Sequence, residues 1–391
     1  MRVVVVGGGV LGTFHAWQAV QRGYEVLHLE RELEARGASV RNFGLVWVSG
    51  RADGAEVELA QRARDLWTEV PGIGVRTAGS LTVCRSEAEL AVAKEAAARP
   101  DAAARGFQVL DAEQARERNP ALKGELQGAL WCARDAIVEP REVLPALRAE
   151  LQKSGRYRFL GGREVRNVRT GEVVDDHGEV HAGDLVFLCT GAWHSGLIRE
   201  LTDDLPVRRV RLQMMQTAPL DDALTTAVAD GDSFRYYPAF NSPALDELPP
   251  QESIAAEHRM QLLMVQRTHG GLTIGDTHEY DEPFGFDVRS DPYEYLRGVV
   301  ERILGRPLPM ITRRWAGVYS QATSDEVVVR REVADGVHLV TGPGGRGMTM
   351  SPAIAEETFE AIERTGPSAG GTPMAPATSE RAGSSRAGDG R

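Results

Sequence analysis

Lysine is scarce in this chain, standing only at positions 94, 123 and 153, so arginine supplies almost all of the positive charge. Basic residues total 45 against 56 acidic ones, and a net charge of −11 argues against a nucleic-acid binder that works by neutralising phosphates. No run approaches the ~20 apolar residues of a membrane helix, and glycines interrupt the stretch after Val6 too early for a secretory signal. Cysteine is equally sparse. Cys84, Cys132 and Cys189 are too far apart in sequence for a disulfide framework or a metal cluster, and no His group suggests one either. Three lone thiols suit a reducing cytoplasm. A chain of 391 residues that is 42% hydrophobic and 26% charged has ample material for a core and for two or three domains.

What is present is concentrated first at the N-terminus. Arg2 to Val6 reads as a buried parallel strand, and Gly7, Gly9 and Gly12 follow in G-x-G-x-x-G spacing. Helical periodicity runs from Leu11 to Arg22, and a second strand, Glu25 to Glu30, ends in an acid 18 positions beyond Gly12. The physical reading is specific. Gly7 permits a tight turn, Gly9 lets backbone approach a pyrophosphate, and Gly12 lets the helix pack on the strand. The helix N-terminus, at Val10 and Leu11, then faces phosphate charge, and Glu30 accepts bonds from ribose hydroxyls. An acid there favours FAD or NAD over NADP.

Further along, helices are expected over 55–70, 87–98, 111–118, from Pro140 to about Lys153, and from Pro352 to about Arg364. Strands are expected over 79–84, 183–191, 207–217, 262–267 and 272–276, and Asp335-Gly336 turns a hairpin between 327–333 and 337–341. The segment from Asn241 to Pro250 reads as a mobile loop, and 366–391 as a disordered tail. Two more glycine loops, Thr190-Gly191-Ala192-Trp193 and Gly342 to Thr349, close strands at their carboxyl ends, where open α/β sheets bind ligands.

On these motifs, and on Gly37 to Gly44, Asp135 to Pro140 and Trp315-Ala316-Gly317, the chain resembles the FAD-dependent oxidoreductases of the D-amino-acid, glycine and sarcosine oxidase family over residues 1–364. A softer likeness, through Arg41 to Trp47 and Gly345 to Thr349, is to a branch associated with phosphonate catabolism. The resemblance implies an α/β fold, α+β overall. A Rossmann-like FAD domain would be built from 1–50, 140–215 and 327–365, and a mostly antiparallel substrate domain from 51–139 and 216–326. It also implies that Ser39, Arg41 and Asn42 lie beside the flavin or its pyrophosphate, that Val165 contacts the adenine side through its backbone, and that Arg31, Thr190, Gly191 and Trp193 are among the cofactor-binding residues. Arg346, Gly347, Met348 and Thr349, after Gly344 and Gly345, would lie near the isoalloxazine.

Two departures matter. Relatives that oxidise simple amino acids often carry Gly-Leu-Arg-Pro where this chain has Gly317-Val318-Tyr319-Ser320, and a phenol at Tyr319 cannot replace a bidentate guanidinium. Arg267 and Arg346 are the leading alternatives for gripping a substrate anion, ahead of Arg235 and Arg51, and Trp47, Tyr236, Tyr237 and Tyr319 could wall the pocket. Thr349 stands where some relatives have an oxygen-activating Lys, and no Cys follows Cys189, so noncovalent FAD is expected with the acceptor, O2 or another, left open. The expected activity is oxidation of a C–N bond in a small amine or amino acid, an aminoalkylphosphonate or its N-methyl form among them. An alcohol or hydroxy-acid dehydrogenase, or a flavin-binding subunit of a larger complex, remains the alternative. Oligomeric state is not legible.

Overall fold

The computed structural model describes residues 1–365; the expected tail, 366–391, lies outside them. Two large sheets dominate. A six-stranded sheet runs in the spatial order 329–334, 337–341, 185–188, 2–6, 25–30, 157–161. All of its neighbours pair parallel except the 329–334/337–341 hairpin at one edge. Val3, Val4 and Val5 in its centre are fully buried, as a strand covered on both faces requires. An eight-stranded sheet runs in the order 311–322, 207–219, 271–275, 263–266, 227–229, 80–84, 128–132, 107–111. It is antiparallel apart from the pairing of 227–229 with 80–84.

The expected elements form, with informative shifts. The helix expected from Pro140 starts at Val143, because the Glu139 carbonyl accepts from both Glu142 and Val143 and closes a turn first. The helix expected from Pro352 starts at Gly347. Pro352 has no N–H for the Met348 carbonyl one turn back, and the Trp67 indole N–H donates to that carbonyl instead, at 3.0 Å. The 241–250 segment is not a free loop. It forms a helical turn, Pro243–Asp246, with Ala244 and Leu248 buried and the Ala244 N–H bonded to Glu95 at 3.0 Å.

The placement of two elements also differs from the expected domain boundaries. The Ala55–Glu69 helix shares a core with the C-terminal helix and the six-stranded sheet, through Val57, Ala60, Ala63, Ile354 and Phe359. The Val207–Pro219 strand pairs along its length with Ile311–Ala322 and so belongs to the eight-stranded sheet.

One buried carboxylate ties the segment after Leu45 to the larger sheet. Asp135 accepts from the Val48 and Ser49 N–H groups at 2.6 and 3.0 Å and from the Ser49 and Ser80 hydroxyls at 2.7 and 2.6 Å. Asp135→Ala leaves those donors buried without an acceptor, so it should lower the unfolding free energy by about 3 kcal/mol or more in urea titration. A loss below about 1 kcal/mol would show that water replaces the carboxylate.

Candidate active site

The carboxyl ends of the central parallel strands open into one cavity of about 980 Å3, which runs on to the face of the eight-stranded sheet. Its nucleotide-like end is set by glycine geometry. A Cβ on Gly12 would lie 2.0 Å from the Gly7 carbonyl oxygen, and one on Gly7 would lie 2.3 Å from the Cys189 carbonyl oxygen. Side chains at either position would push the helix or the neighbouring loop off the first strand. Gly9 differs, since a Cβ there would meet only the Ser39 hydroxyl, at 3.1 Å, beside the cavity. Ser39 accepts from the Val10 N–H at 2.9 Å, holding the helix start against the crevice. Glu30 accepts from Gly8 and Glu32 N–H groups at 2.6 and 3.0 Å. Its carboxylate retains lone pairs for ribose hydroxyls. Bare backbone, a helix N-terminus and a strand-end acid together fit a dinucleotide.

Of the residues expected at the cofactor, Gly7, Gly9, Val10, Leu11, Glu30, Arg31, Ser39, Arg41, Asn42, Val165, Thr190, Gly191, Trp193 and 344–349 all line this cavity. Gly12 does not; it is the packing glycine. The Arg31 guanidinium lies 4.1 Å from the centre of the Trp193 ring at the rim. Arg41, rather than pairing with Glu30 or Glu32, donates to the Arg36 and Ala316 carbonyls. Thr349 is buried, accepting from the Trp47 N–H at 2.9 Å, so its hydroxyl is committed to the backbone.

The expected anion grip needs correction. Arg267 is buried away from the cavity walls, with Nη2 on the Phe43 carbonyl at 2.6 Å and Nη1 on the Val138 carbonyl and Glu139 at 3.3 and 3.4 Å. It braces two loops through these bonds, although its Nε has no partner among the described residues and burial lowers its pKa to about 10. Arg235 is committed to Asp232 and the Pro249 carbonyl. Of the four arginines weighed as the grip, Arg346 and Arg51 line the cavity, both near Glu56 in the first turn of the Ala55–Glu69 helix, at 3.2 and 3.9 Å. One carboxylate thus serves two guanidiniums. Burial holds the Arg51 pKa below its usual range, a sign of incompletely repaid desolvation.

A second set of lining groups was not anticipated. Asp276 and Gln261 line the cavity, and Asp276 Oδ1 and Gln261 Oε1 are buried acceptors with no donor among the described residues. Trp47 contributes the reverse, a buried Nε1–H with no acceptor. Tyr236, Tyr237, Tyr280 and Tyr319 complete the lining, and His278 stacks on Tyr236 at 4.4 Å. Burial depresses the His278 pKa to about 4, and its Nδ1 bonds the Arg259 carbonyl at 2.9 Å, so it is a neutral, structural ring. Among the described residues one cluster has metal-ligand spacing, Asp175, Glu179 and His181. Arg163 already lies 2.8 and 3.0 Å from its two carboxylates.

The two glycines of the helix start should separate in experiment. Gly9→Val should leave the fold intact but reduce bound flavin at least tenfold by absorbance, because its methyls enter the phosphate position. Gly12→Val should lower the melting temperature as well. Full flavin occupancy in Gly9→Val would contradict this placement of the cofactor.

The chain matches known proteins along its length. It is 27% identical to glycine oxidase of Pseudomonas aeruginosa over 397 aligned positions, covering 96% of this chain and 98% of that one. It is 27% identical over 240 residues to an opine oxidase subunit from Rhizobium meliloti, a match spanning 57% of this chain and 64% of the relative. Its fold superposes on L-proline dehydrogenase from P. horikoshii with a TM-score of 0.75 at 22% identity, covering 93% of both chains. No helix among the described residues is long and apolar enough to cross a membrane. The profile of the family described as FAD dependent oxidoreductase matches residues 2–361, and with its nucleotide crevice and glycine loops the chain belongs to that family of FAD-binding enzymes.

Proposed function

We propose that this enzyme oxidises the C–N bond of a small amine that also carries an anionic group: an amino acid, or an aminoalkylphosphonate or its N-methyl form. The observation that carries the reading is the polarity of the cavity. Its lining offers Arg51 and Arg346 over a single Glu56 with the unanswered Trp47 N–H, and also the unanswered acceptors of Asp276 and Gln261. An anion relieves the first and an ammonium group the second. Glycine, an opine and L-proline, named in the relatives above, combine an amine with a carboxylate, which supports the same class.

FAD, when bound, supplies the hydride acceptor. In this reading Gly7, Gly9, Val10 and Ser39 cradle its pyrophosphate, Glu30 its ribose, and Arg31, Val165 and Trp193 its adenine side. Residues 344–349 border the isoalloxazine. The six-stranded sheet with its helices is then the cofactor unit, extended by Ala55–Glu69, and the eight-stranded sheet is the substrate unit, extended by Val207–Pro219. The chain's own contribution is orientation. Arg51 and Arg346 fix the anion, the tyrosines exclude water, and the amine-bearing carbon is held toward the flavin. The absence of Cys beyond Cys189 supports noncovalent attachment, and three buried thiols, none in a disulfide, support a reducing cytoplasm.

Arg51→Met tests the anion grip. Loss of a charge-assisted bond costs roughly 1.5–3 kcal/mol, so kcat/KM should fall about ten- to a hundredfold for glycine or 2-aminoethylphosphonate. A neutral amine of similar length should lose little, and flavin content should hold. Equal effects on both substrates would remove the grip from the account.

A further inference from the structure

Asp276 stands at a place where a carboxyl is costly unless it is used. It follows the Gly271–Gly275 strand, and its N–H bonds the Gln261 carbonyl at 3.0 Å, which brings the two side chains to the same open end of a hairpin. It is 5% exposed, lines the cavity, and has no cation paired to it among the described residues. Its neighbours are neutral. The hydroxyls of Tyr236, Tyr237, Tyr280 and Tyr319 surround it, and the Gln261 amide donates to Tyr237 at 3.4 Å. His278, two residues on, is an uncharged ring. The charged groups of the surrounding elements are occupied elsewhere: Arg51 and Arg346 with Glu56, and Arg259 over the Tyr280 ring at 4.9 Å. A buried carboxyl with one unanswered oxygen, in a cavity also lined by Arg51 and Arg346, is placed for a cation brought in by the substrate.

Resting on the amine reading, we propose that Asp276 anchors the substrate ammonium group and takes its proton. Oδ1 accepts an N–H bond from the ammonium; that N–H bond then breaks as the Oδ1–H bond forms. The products of this step are a carboxylic acid and a neutral amine with a lone pair, and no electrons change hands. The two-electron oxidation follows as hydride loss from the neighbouring carbon. Below about pH 8 Asp276 keeps this proton when the imine leaves and gives it up to water as the next ammonium group binds. Gln261 Oε1 accepts a second amine N–H and orients the nitrogen. Burial pushes the Asp276 carboxyl up to about 8 in the empty cavity, close to the range in which a general base works well near neutral pH. The sign follows directly. Below about pH 8 the empty site holds a carboxylic acid, so binding an ammonium group must expel a proton, and kcat/KM must rise with pH until the carboxyl is ionised.

The test uses the FAD-loaded full chain. Calorimetry with 2-aminoisobutyrate, an amino acid without a hydrogen on the amine-bearing carbon, in two buffers of different ionisation enthalpy, should show about one proton released per site near pH 7. Anaerobic flavin reduction by glycine, sarcosine and 2-aminoethylphosphonate, followed from about pH 6 to about pH 10, should show a rising limb near pH 8 in the wild type. Asp276→Asn should abolish that limb and the proton release and lower kcat/KM about ten- to a hundredfold at the optimum, with flavin content kept. Asp276→Glu should retain the limb. Wild-type binding without proton release, or an unchanged pH profile in Asp276→Asn, would overturn the role of Asp276 while leaving amine oxidation standing. Failure of the wild type to be reduced by any of the three amines would overturn both readings.

Discussion

The close approach of the first helix to the first strand is the constraint from which the rest follows. With 2.0 Å between a notional Gly12 Cβ and the Gly7 carbonyl oxygen, only glycine lets the helix sit so low on the sheet. That height fixes where the helix N-terminus points. It puts Val10 within reach of Ser39 and aligns Gly9 with the open crevice. The strand on the other side ends at Glu30, whose carboxylate closes the Gly8 turn at 2.6 Å. The C-terminal helix then packs across the same core and delivers residues 344–349 to the cavity from the far end of the chain.

The second organising feature is an imbalance of charge. Arg267 is held by two carbonyls and a carboxylate away from the cavity, with only its Nε left without a partner among the described residues. Arg51 has one firm bond, to the Trp47 carbonyl at 2.8 Å, and a carboxylate shared with Arg346. Burying charge without full compensation costs stability, so a site that keeps it is built for a ligand that completes it. The unanswered acceptors of Asp276 and Gln261 obey the same rule with the opposite sign. A substrate that carries both an ammonium group and an anion satisfies both sets of groups at once.

The nucleotide half was legible in the sequence because its signals are local. Strand, glycines, helix and terminal acid lie within thirty residues, and each has its own physical meaning. Glycine loops at strand ends and the hairpin at Asp335-Gly336 were readable for the same reason. The lining on the eight-stranded sheet was not. Gln261 and Asp276 meet only because Leu263 pairs with Gly275 in an antiparallel hairpin, and no spacing rule gives that register. Arg267 and Arg51 are indistinguishable as sequence, and the first proved a brace while the second faces the cavity. The carboxyl just past an apolar strand end at Gly275 was the one signal that could have pointed to Asp276. The early start of the last helix was hidden because Trp67, distant in sequence, accommodates Pro352.

The central claim is that this flavoenzyme removes hydride from a carbon bearing nitrogen. Its most direct test is a matched pair of anaerobic reductions, an amino acid against the hydroxy acid of the same skeleton, with the products analysed after flavin bleaching. The account predicts bleaching by the amino acid alone, with ammonia or a primary amine released in step with the carbonyl product. Bleaching by the hydroxy acid, with no nitrogen needed or released, would contradict it.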